Sequence, residues 1–427
     1  MRAVARLLRV VSLVLLVVIL LAAGGTGAVL ATTRLQSATP ALTPEVTSTT
    51  SWAAGPATSA AIAAPERGSL ALAAVFDNTA TPLVSSNAQV VRPIASVAKT
   101  MTALAILDVH PLLPGQAGPS LTMSQQDVDD YHSIAASGGS FAPVTLGERL
   151  SERDLLIGLM LPSANNLALT AARWVDGSVS AFVHRLNARA VALGMLHTHF
   201  ADPDGLDSAT TSTAADLVIL GERVVTDDAL LSVVSTTNAT LPDGTAVQNL
   251  NILLGQEPGW VGVKTGWTPD AGGCLLFAAR RILAAGAPPV AMVGAVLGQP
   301  PDGNVDLANP ELGGAFDVAR ASVDNAYMNF TTVRVGPGSI PVTGHVFAPW
   351  GAYSSLRLTG PAKFVLLHTG DSLSVATTTT AVAAPAAAGT PAGSVTVSLK
   401  GTRVGSWTLT TAGHLAGPST WWRLLFS

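Results

Sequence analysis

The chain has 427 residues, of which 48% are hydrophobic and 12% are charged, and its formal net charge is -4 at pH 7. This length allows two or three domains, and the slightly acidic balance leaves no basic field that would hold nucleic acid. The single cysteine, Cys274, excludes an intrachain disulfide and a cysteine-based zinc site. Because Cys274 lies in an apolar run, we interpret it as a small buried hydrophobic residue.

The first 31 residues predict a membrane-targeting segment. Arg2, Arg6 and Arg9 precede an uncharged apolar run over residues 10–31, which is long enough to cross a bilayer as a helix. The arginines favour a cytoplasmic N-terminus, so the rest of the chain is expected to be extracytoplasmic. The segment is either a signal peptide that is cleaved after Ala31 or an anchor that stays in the plasma membrane.

Residues 32–66 are rich in Thr, Ala, Ser and Pro, and Trp52 is their one large aromatic side chain. A segment of this composition cannot bury enough apolar surface to fold by itself. The sequence therefore predicts a disordered stalk.

From residue 67 to residue 330 the pattern predicts one ordered domain. A buried strand over residues 70–76 comes first, then a block of helices, then three consecutive apolar strands and a closing helix. This order indicates an α+β fold with an antiparallel sheet and a helical subdomain. Helices are expected at 96–107, 151–160, 165–174, 179–193, 213–225 and 316–327, and strands at 261–263, 274–279 and 290–297.

In residues 331–427 the sequence pattern changes to short runs in which apolar and polar residues alternate, such as 395–399 and 404–409. This alternation predicts a small all-β domain. The apolar end of the chain, residues 421–426, is either a membrane contact or a final core strand, and we favour the strand.

Lysine is scarce in this sequence. Four of the 23 basic residues are lysines, and only Lys99 and Lys264 fall within residues 67–330. Lysine is the basic side chain that can lose its proton at moderate cost and act as a base. The two lysines are therefore candidates for chemistry.

The first candidate element is Ser96-Val97-Ala98-Lys99. On a helix, residues three apart share a face, so the hydroxyl and the amine would lie within hydrogen-bond reach. A lysine with a lowered pKa can take the proton of a serine and make it a nucleophile. By itself, however, this spacing is more typical of a helix-capping serine beside a solvated lysine.

Two further elements follow at similar intervals. Ser163-Ala164-Asn165 comes directly after Pro162, which should end the preceding helix and leave the serine and asparagine on a turn. There the hydroxyl could relay a proton and the amide could hold a carbonyl. Lys264-Thr265-Gly266 is expected at a strand end, where a cation and a hydroxyl suit a carboxylate and the glycine permits close backbone approach.

Together the three elements resemble the active-site signature of the serine penicillin-binding enzymes, most closely the D-alanyl-D-alanine carboxypeptidases. The resemblance covers residues 68–330 and implies a β-lactamase/DD-peptidase-like catalytic domain there, followed by the C-terminal β-rich domain. The matching stretches are 93–103, 161–166, 198–207, 262–268 and 271–274.

The resemblance implies a role for each residue. Ser96 is the nucleophile, Lys99 its general base and Ser163 the proton relay. Substrate is bound by Asn165, Lys264, Thr265, Gly266 and Trp267, with the backbone N–H groups of Ser96 and Trp267 forming the oxyanion hole. The implied substrate is the peptidoglycan stem pentapeptide, with β-lactam antibiotics as covalent inhibitors and with no cofactor or metal.

Three other functions compete with this interpretation of the sequence. A class A-like β-lactamase needs a glutamate after the second element, and none occurs between Ser163 and Glu222. A catalytically weak penicillin- or peptidoglycan-binding protein is disfavoured because every catalytic residue type is present. A metal hydrolase is disfavoured because His197 and His199 lie in no His-Glu-x-x-His helix.

Overall fold

The computed structural model describes residues 2–256, 258–301 and 309–426, and of residues 2–10 only the backbone. The side chains of the three N-terminal arginines therefore lie outside what is described. The chain divides into two compact units, one of Met1–Gly55 with Thr332–Ser427 and the other of Pro56–Thr331. The boundaries predicted at residues 67 and 330 differ from this division most at the N-terminal side, where the second unit begins at Pro56.

The first helix, α1, spans Arg2–Gln36. Within it, Val11–Gln36 is the one stretch of the described helices that is long and apolar enough to cross a membrane, with a mean hydropathy of 2.6 and none of its apolar window buried. An apolar helical stretch whose side chains are not buried within its own protein suits a lipid environment.

The predicted stalk is wrong for part of residues 32–66. Two short strands, β1 (Glu45–Ser48) and β2 (Ser51–Ala54), form the two edges of the sheet of the first unit. The prediction failed because backbone hydrogen bonds, which do not depend on side-chain type, pair β1 and β2 with strands from the C-terminal part of the chain. Leu42, Val46, Trp52 and Ala53 supply its apolar contacts with the cores of that unit.

The second unit combines a helical block with a five-stranded sheet. Its helices are α2 (Lys99–Val109), α3 (Gln125–Ala136), α4 (Glu152–Met160), α5 (Asn165–Asp176), α6 (Val179–Leu193), α7 (Ala214–Val225), α8 (Asp228–Val234) and α9 (Gly313–Met328), with 3₁₀ turns at Ala95–Ala98 and Pro310–Leu312. Its strands are β3 (Ser69–Phe76), β4 (Thr79–Ser86), β5 (Arg92–Pro93), β6 (Ser120–Thr122), β7 (Arg149–Ser151), β8 (Thr211–Ser212), β9 (Asn238–Thr240), β10 (Ala246–Gln248), β11 (Trp260–Thr268), β12 (Gly272–Arg281) and β13 (Val290–Gln299).

The five-stranded sheet is antiparallel in the order β11-β12-β13-β3-β4. Side chains alternate between the faces of a strand, so the complete burial of residues 274–279 in β12 means that both faces of the sheet are covered. Helices α7 and α9 pack on it. The predicted α+β class is confirmed, because strands from both ends of the unit share one sheet. Cys274 is buried as predicted.

Local sequence signals set the start and the end of α4 and the start of α5. Ser151 caps α4 in a capping box with Asp154, in which each side chain accepts a hydrogen bond from the backbone N–H of the other residue. The helix ends at Met160, before Pro162, and α5 begins at Asn165. This break lets the chain turn between two buried helices, and the turn carries the second predicted element.

The C-terminal part of the first unit is rich in β-strands, in agreement with the sequence pattern. Its elements are β14 (Phe330–Val335), β15 (Val342–Phe347), β16 (Tyr353–Thr359), β17 (Lys363–His368), β18 (Ser372–Thr379), β19 (Pro391–Leu399), β20 (Thr402–Thr411) and the helix α10 (Thr420–Phe426). Five of these strands, together with β1 and β2, form a seven-stranded sheet in the order β1-β15-β16-β20-β19-β18-β2.

The final core strand that the sequence favours at residues 421–426 is wrong. This segment is the helix α10, and none of its described residues is buried. The hydroxyl of Ser419 accepts the backbone N–H of Trp422 at 3.2 Å, which is a helix-starting contact that an apolar run does not reveal.

Candidate active site

Ser96 lies on the 3₁₀ turn that leads into α2. The preceding residue, Ala95, has a left-handed φ of 47°, a conformation that costs a non-glycine residue roughly 1–3 kcal/mol. Complete burial of the neighbouring Val97 and Ala98 holds the turn in place. The nucleophile candidate is thus presented on a strained turn at the start of a buried helix.

Strand β11 approaches this turn closely at Gly266. A Cβ on Gly266 would lie 3.0 Å from the carbonyl oxygen of Ile94 and from the backbone nitrogens of Ser96 and Val97. Only a residue without a side chain lets the two backbones lie this close. The first and third predicted elements therefore meet here.

Lys99 lies at the centre of the site. Its side chain is fully buried, and its Nζ lies 2.8 Å from Ser96 Oγ, 2.6 Å from Asn165 Oδ1 and 2.8 Å from the carbonyl oxygen of Asp204. A neutral amine has two N–H donors and one lone pair. The Asn165 and Asp204 oxygens can accept the two donors, which leaves the lone pair for the hydroxyl proton of Ser96.

Burial lowers the pKa of Lys99 to about 8, and the carboxylates of Asp204 and Asp202 oppose this decrease. Burial likewise raises the pKa of Asp204 to about 7, against the attraction of Lys99. The carboxylate of Asp202 is held by the backbone N–H groups of Gly205 and Asp207 and by the hydroxyl of Thr210. No local pattern in the sequence predicts that this loop contacts Lys99.

The second element occupies the turn between α4 and α5. Ser163 has a left-handed φ of 66°, and its buried Oγ has no hydrogen-bond partner within the described ranges. Such an unsatisfied hydroxyl is costly unless a ligand or water completes it. Asn165 is fixed by its N–H, which donates to the carbonyl oxygen of Ser140 at 2.8 Å, and by its side-chain contact with Lys99.

The third element lies inside β11 and not at its end, because the strand continues to Thr268. Lys264 is buried, and its Nζ donates to the carbonyl oxygen of Thr265 at 3.0 Å. Burial and the charge of Lys99 hold the pKa of Lys264 well below its usual range. In the parts of the chain that the structure describes, no carboxylate forms an ion pair with Lys264, so a ligand carboxylate would supply the missing counter-charge.

The three elements meet at one cavity of about 400 Å³. Six predicted residues line it: Ser96, Ser163, Asn165, Thr265, Gly266 and Trp267. Lys99 and Lys264 lie beneath them, and Trp267 is 43% exposed at the mouth.

Sequence reasoning missed the loop over residues 137–140, which also lines the cavity. Its Ser-Gly-Gly-Ser composition is a signal for an irregular loop. The site that results can place a hydroxyl beside a desolvated amine, a second hydroxyl that lines the cavity and a buried lysine around one ligand.

Comparisons with known proteins agree with this geometry. The sequence pattern of the D-alanyl-D-alanine carboxypeptidase family matches residues 59–285, which is more than half of the chain. The chain therefore belongs to this family of serine peptidases.

Curated relatives carry related names. The chain is 34% identical over 218 residues to a D-alanyl-D-alanine endopeptidase of Pseudomonas aeruginosa, a match that covers 47% of this chain and 63% of that protein. It is 32% identical over 224 residues to a D-alanyl-D-alanine carboxypeptidase of a Streptomyces species (strain K15), which covers 49% of this chain and 75% of that protein. The match to the Pseudomonas relative thus spans slightly less than two thirds of its length.

Solved structures support the fold of the second unit. The crystal structure of the Streptomyces K15 DD-transpeptidase is 26% identical with a TM-score of 0.51, and the match covers 62% of this chain and 99% of that one. A penicillin-binding protein homolog from Mycobacterium tuberculosis is 27% identical with a TM-score of 0.52, covering 64% of this chain and 95% of that one.

Proposed function

We propose that this chain is a serine-type D-Ala-D-Ala carboxypeptidase that removes the terminal D-alanine of peptidoglycan stem peptides through an acyl-enzyme on Ser96. One observation carries the proposal. A fully buried Lys99 amine joins the Ser96 hydroxyl to the Asn165 amide, at a cavity that also holds the Ser163 hydroxyl.

In the acylation step, neutral Lys99 takes the hydroxyl proton of Ser96 while Oγ attacks the carbonyl carbon of the penultimate D-alanine. The C–N bond then breaks, and the departing D-alanine amine must gain a proton to leave. Ser163 is the relay for this proton, because its hydroxyl is buried, lines the cavity and lacks a partner among the described residues. The products are an ester on Ser96 and free D-alanine.

Two groups stabilise the negative charge that develops on the carbonyl oxygen. They are the backbone N–H groups of Ser96 and Trp267. The nitrogen of Ser96 lies at the close contact between the turn and Gly266, and Trp267 is the next residue along β11. Both belong to backbone that packing already fixes, so little reorganisation is needed as the charge forms.

Lys264 and Thr265 bind the terminal carboxylate. A buried amine that lacks a counter-ion within the described chain gains most from a ligand that brings a negative charge. Carboxylate binding raises the pKa of Lys264 toward its ordinary value, so protonation of Lys264 and binding of the carboxylate favour each other.

Water hydrolyses the acyl-enzyme in the final step. The chain has no glutamate between Ser163 and Glu222 to activate this water in the class A β-lactamase manner, which disfavours rapid β-lactam hydrolysis. We therefore expect β-lactam antibiotics to form long-lived covalent adducts.

The apolar exposed helix α1 supports an extracytoplasmic location, with the enzyme anchored to or secreted across the plasma membrane.

The direct test is release of D-alanine from an uncross-linked pentapeptide by purified full-length protein. Release should be blocked by penicillin and abolished in Ser96→Ala. A protein that binds penicillin covalently but releases no D-alanine would instead be the catalytically weak binder. Undiminished release by Ser96→Ala would reject the proposed nucleophile.

A further inference from the structure

One wall of the candidate active-site cavity carries a charge that the catalytic steps do not use. Glu311 lines this cavity, and none of the other described lining residues has a charged side chain. They contribute hydroxyl, amide and apolar side chains or are glycines. A single carboxylate on the wall of an otherwise uncharged cavity favours a ligand with a positively charged group at that point.

The backbone that carries Glu311 is held against the five-stranded sheet. The carbonyl oxygen of Glu311 would lie 2.7 Å from a Cβ on Gly273, an approach that only a residue without a side chain permits. Pro310 restricts the backbone at the start of this 3₁₀ turn, and Leu312 is buried at its end. The carboxylate is therefore presented to the cavity from a fixed turn.

No polar contact within the described chain accounts for the Glu311 side chain. The residue lies just before α9, where a carboxylate commonly accepts the free N–H groups of a helix start. Glu311 nevertheless accepts no hydrogen bond and forms no ion pair with any residue that the structure describes. Its carboxylate is half-buried and so loses part of its hydration without gaining a partner, which a cationic ligand would supply.

The exposed ring of Trp267 lies on the same face of the sheet as Glu311. Trp267 pairs directly with Gly273 in the register of β11 and β12, and the side chains of directly paired residues project from one face. The Cβ position of Gly273 points at Glu311, so the Trp267 ring and the Glu311 turn are neighbours. An aromatic ring beside a carboxylate suits an alkylammonium group, because the ring packs on its methylene groups and both groups attract its charge.

The proposed position of the terminal carboxylate sets the direction of a stem peptide along β11. The carboxylate lies at Lys264 and Thr265, and the reacting carbonyl of the penultimate D-alanine lies at the backbone N–H of Trp267. The third residue of the stem precedes this D-alanine, and its Cα lies about 3.8 Å further from the carboxylate end. Residues 268–269 line the cavity in this direction. The side chain of the third residue therefore begins beside Trp267 and Glu311.

We propose that Glu311 determines specificity for the third residue of the stem peptide by binding a side-chain ammonium group, while the Trp267 ring packs on the methylene groups of that side chain. This subsite rests on the proposed function, because it uses the position of the stem peptide along β11. The substrate class is then stem peptides whose third residue is a diamino acid with a free side-chain amine. A peptide in which this amine is acylated loses the charge and binds less well.

Release of D-alanine from two matched pentapeptides by the full-length protein tests this proposal. One peptide has lysine at the third position, and the other has norleucine, which keeps the methylene chain but lacks the amine. The expected kcat/KM is roughly fivefold to thirtyfold higher for the lysine peptide. Glu311→Gln should remove this preference, mainly through a loss of kcat/KM on the lysine peptide.

The matched control is Asp317→Asn. It removes one carboxylate from an exposed position of α9, where Asp317 pairs with Arg320 at 3.0 Å. This variant should keep the preference for the lysine peptide. Covalent penicillin binding, which involves no third residue, checks that each variant is folded.

Equal kcat/KM values for the two peptides in the unmodified protein would overturn the subsite and leave the proposed function intact. A preference that persists in Glu311→Gln, or that Asp317→Asn also removes, would overturn the role of Glu311. Release of D-alanine from neither peptide would overturn the proposed function, and the subsite with it.

Discussion

The amine of Lys99 lies 2.8 Å from the hydroxyl of Ser96, and the whole lysine side chain is buried. Burial makes the neutral amine accessible near physiological pH, because a charged ammonium is poorly solvated there. This one contact changes an ordinary helix-start serine into a candidate nucleophile, and the predictions below depend on it.

Replacing Lys99 by arginine should lower the rate of Ser96 acylation by roughly 10²–10⁴-fold. A guanidinium keeps the hydrogen-bond donors but cannot give up its proton in a protein, so it cannot serve as a base. Stopped-flow acylation by a fluorescent penicillin measures the rate. Lys400→Arg, at an exposed lysine paired with Asp371, should react like the unmodified protein. Equal rates for both variants would exclude Lys99 as the base.

The acylation rate should rise with pH and reach half of its maximum near pH 8, because the neutral form of Lys99, whose pKa is about 8, is the active one. Asp204→Asn removes a carboxylate that raises this pKa, so the midpoint should move to lower pH. The asparagine oxygen can still accept the N–H of Leu206, which Asp204 Oδ1 accepts at 3.1 Å. A midpoint that stays fixed or moves upward would contradict the role of Asp204.

This effect of Asp204 illustrates the limit of sequence reasoning. The Ser96–Lys99 pair is predictable because both residues lie on one short helical turn. The contact between Lys99 and the carbonyl oxygen of Asp204 depends on a loop 105 residues later in the chain. No local periodicity encodes such a contact, so the sequence indicated the chemistry but not the groups that tune it.

Ser163→Ala should slow turnover of a peptide substrate far more than turnover of a matched thioester. The departing amine of a peptide needs a proton, whereas a thiolate leaves without one. The Ser163 hydroxyl is the buried group, unpartnered in the described structure, that lines the cavity and can deliver this proton. Steady-state kcat/KM for the two substrates measures the ratio, and an equal loss for both would indicate a purely structural serine.

Glu152 should make the protein less stable as pH rises. Its side chain is buried, neither carboxylate oxygen has a hydrogen-bond partner within the described residues, and burial raises its pKa from 4.5 to about 7. The folded state keeps the proton between these values while the unfolded state loses it, so the free energy of unfolding falls from about pH 4.5 to about pH 7.

Glu152→Gln should remove this pH dependence and raise the free energy of unfolding at pH 8 by about 1–3 kcal/mol. Urea unfolding at a series of pH values measures it. Glu66→Gln changes the same charge at an exposed position of the same unit and should leave the pH dependence intact. A parallel pH dependence in wild type and Glu152→Gln would show that Glu152 is ionised in the folded protein.

The fold prediction is accurate where residues at the ends of an element mark its start and its end. Helix α6 begins and ends at the predicted residues because Ser178 caps its start and Gly194, with a φ of 83°, ends it. Strands β1 and β2 were not predicted because their partners, β15 and β18, lie about 300 residues away in the chain. Helix α10 was not predicted because its five apolar or aromatic residues fit a strand equally well.

The most direct test of the central claim is the mass of the full-length protein after incubation with benzylpenicillin, followed by mapping of the modified peptide. The account predicts a mass increase of one penicilloyl group, located on Ser96 and absent from Ser96→Ala. An unmodified wild-type protein, or an adduct that persists in Ser96→Ala, would contradict it.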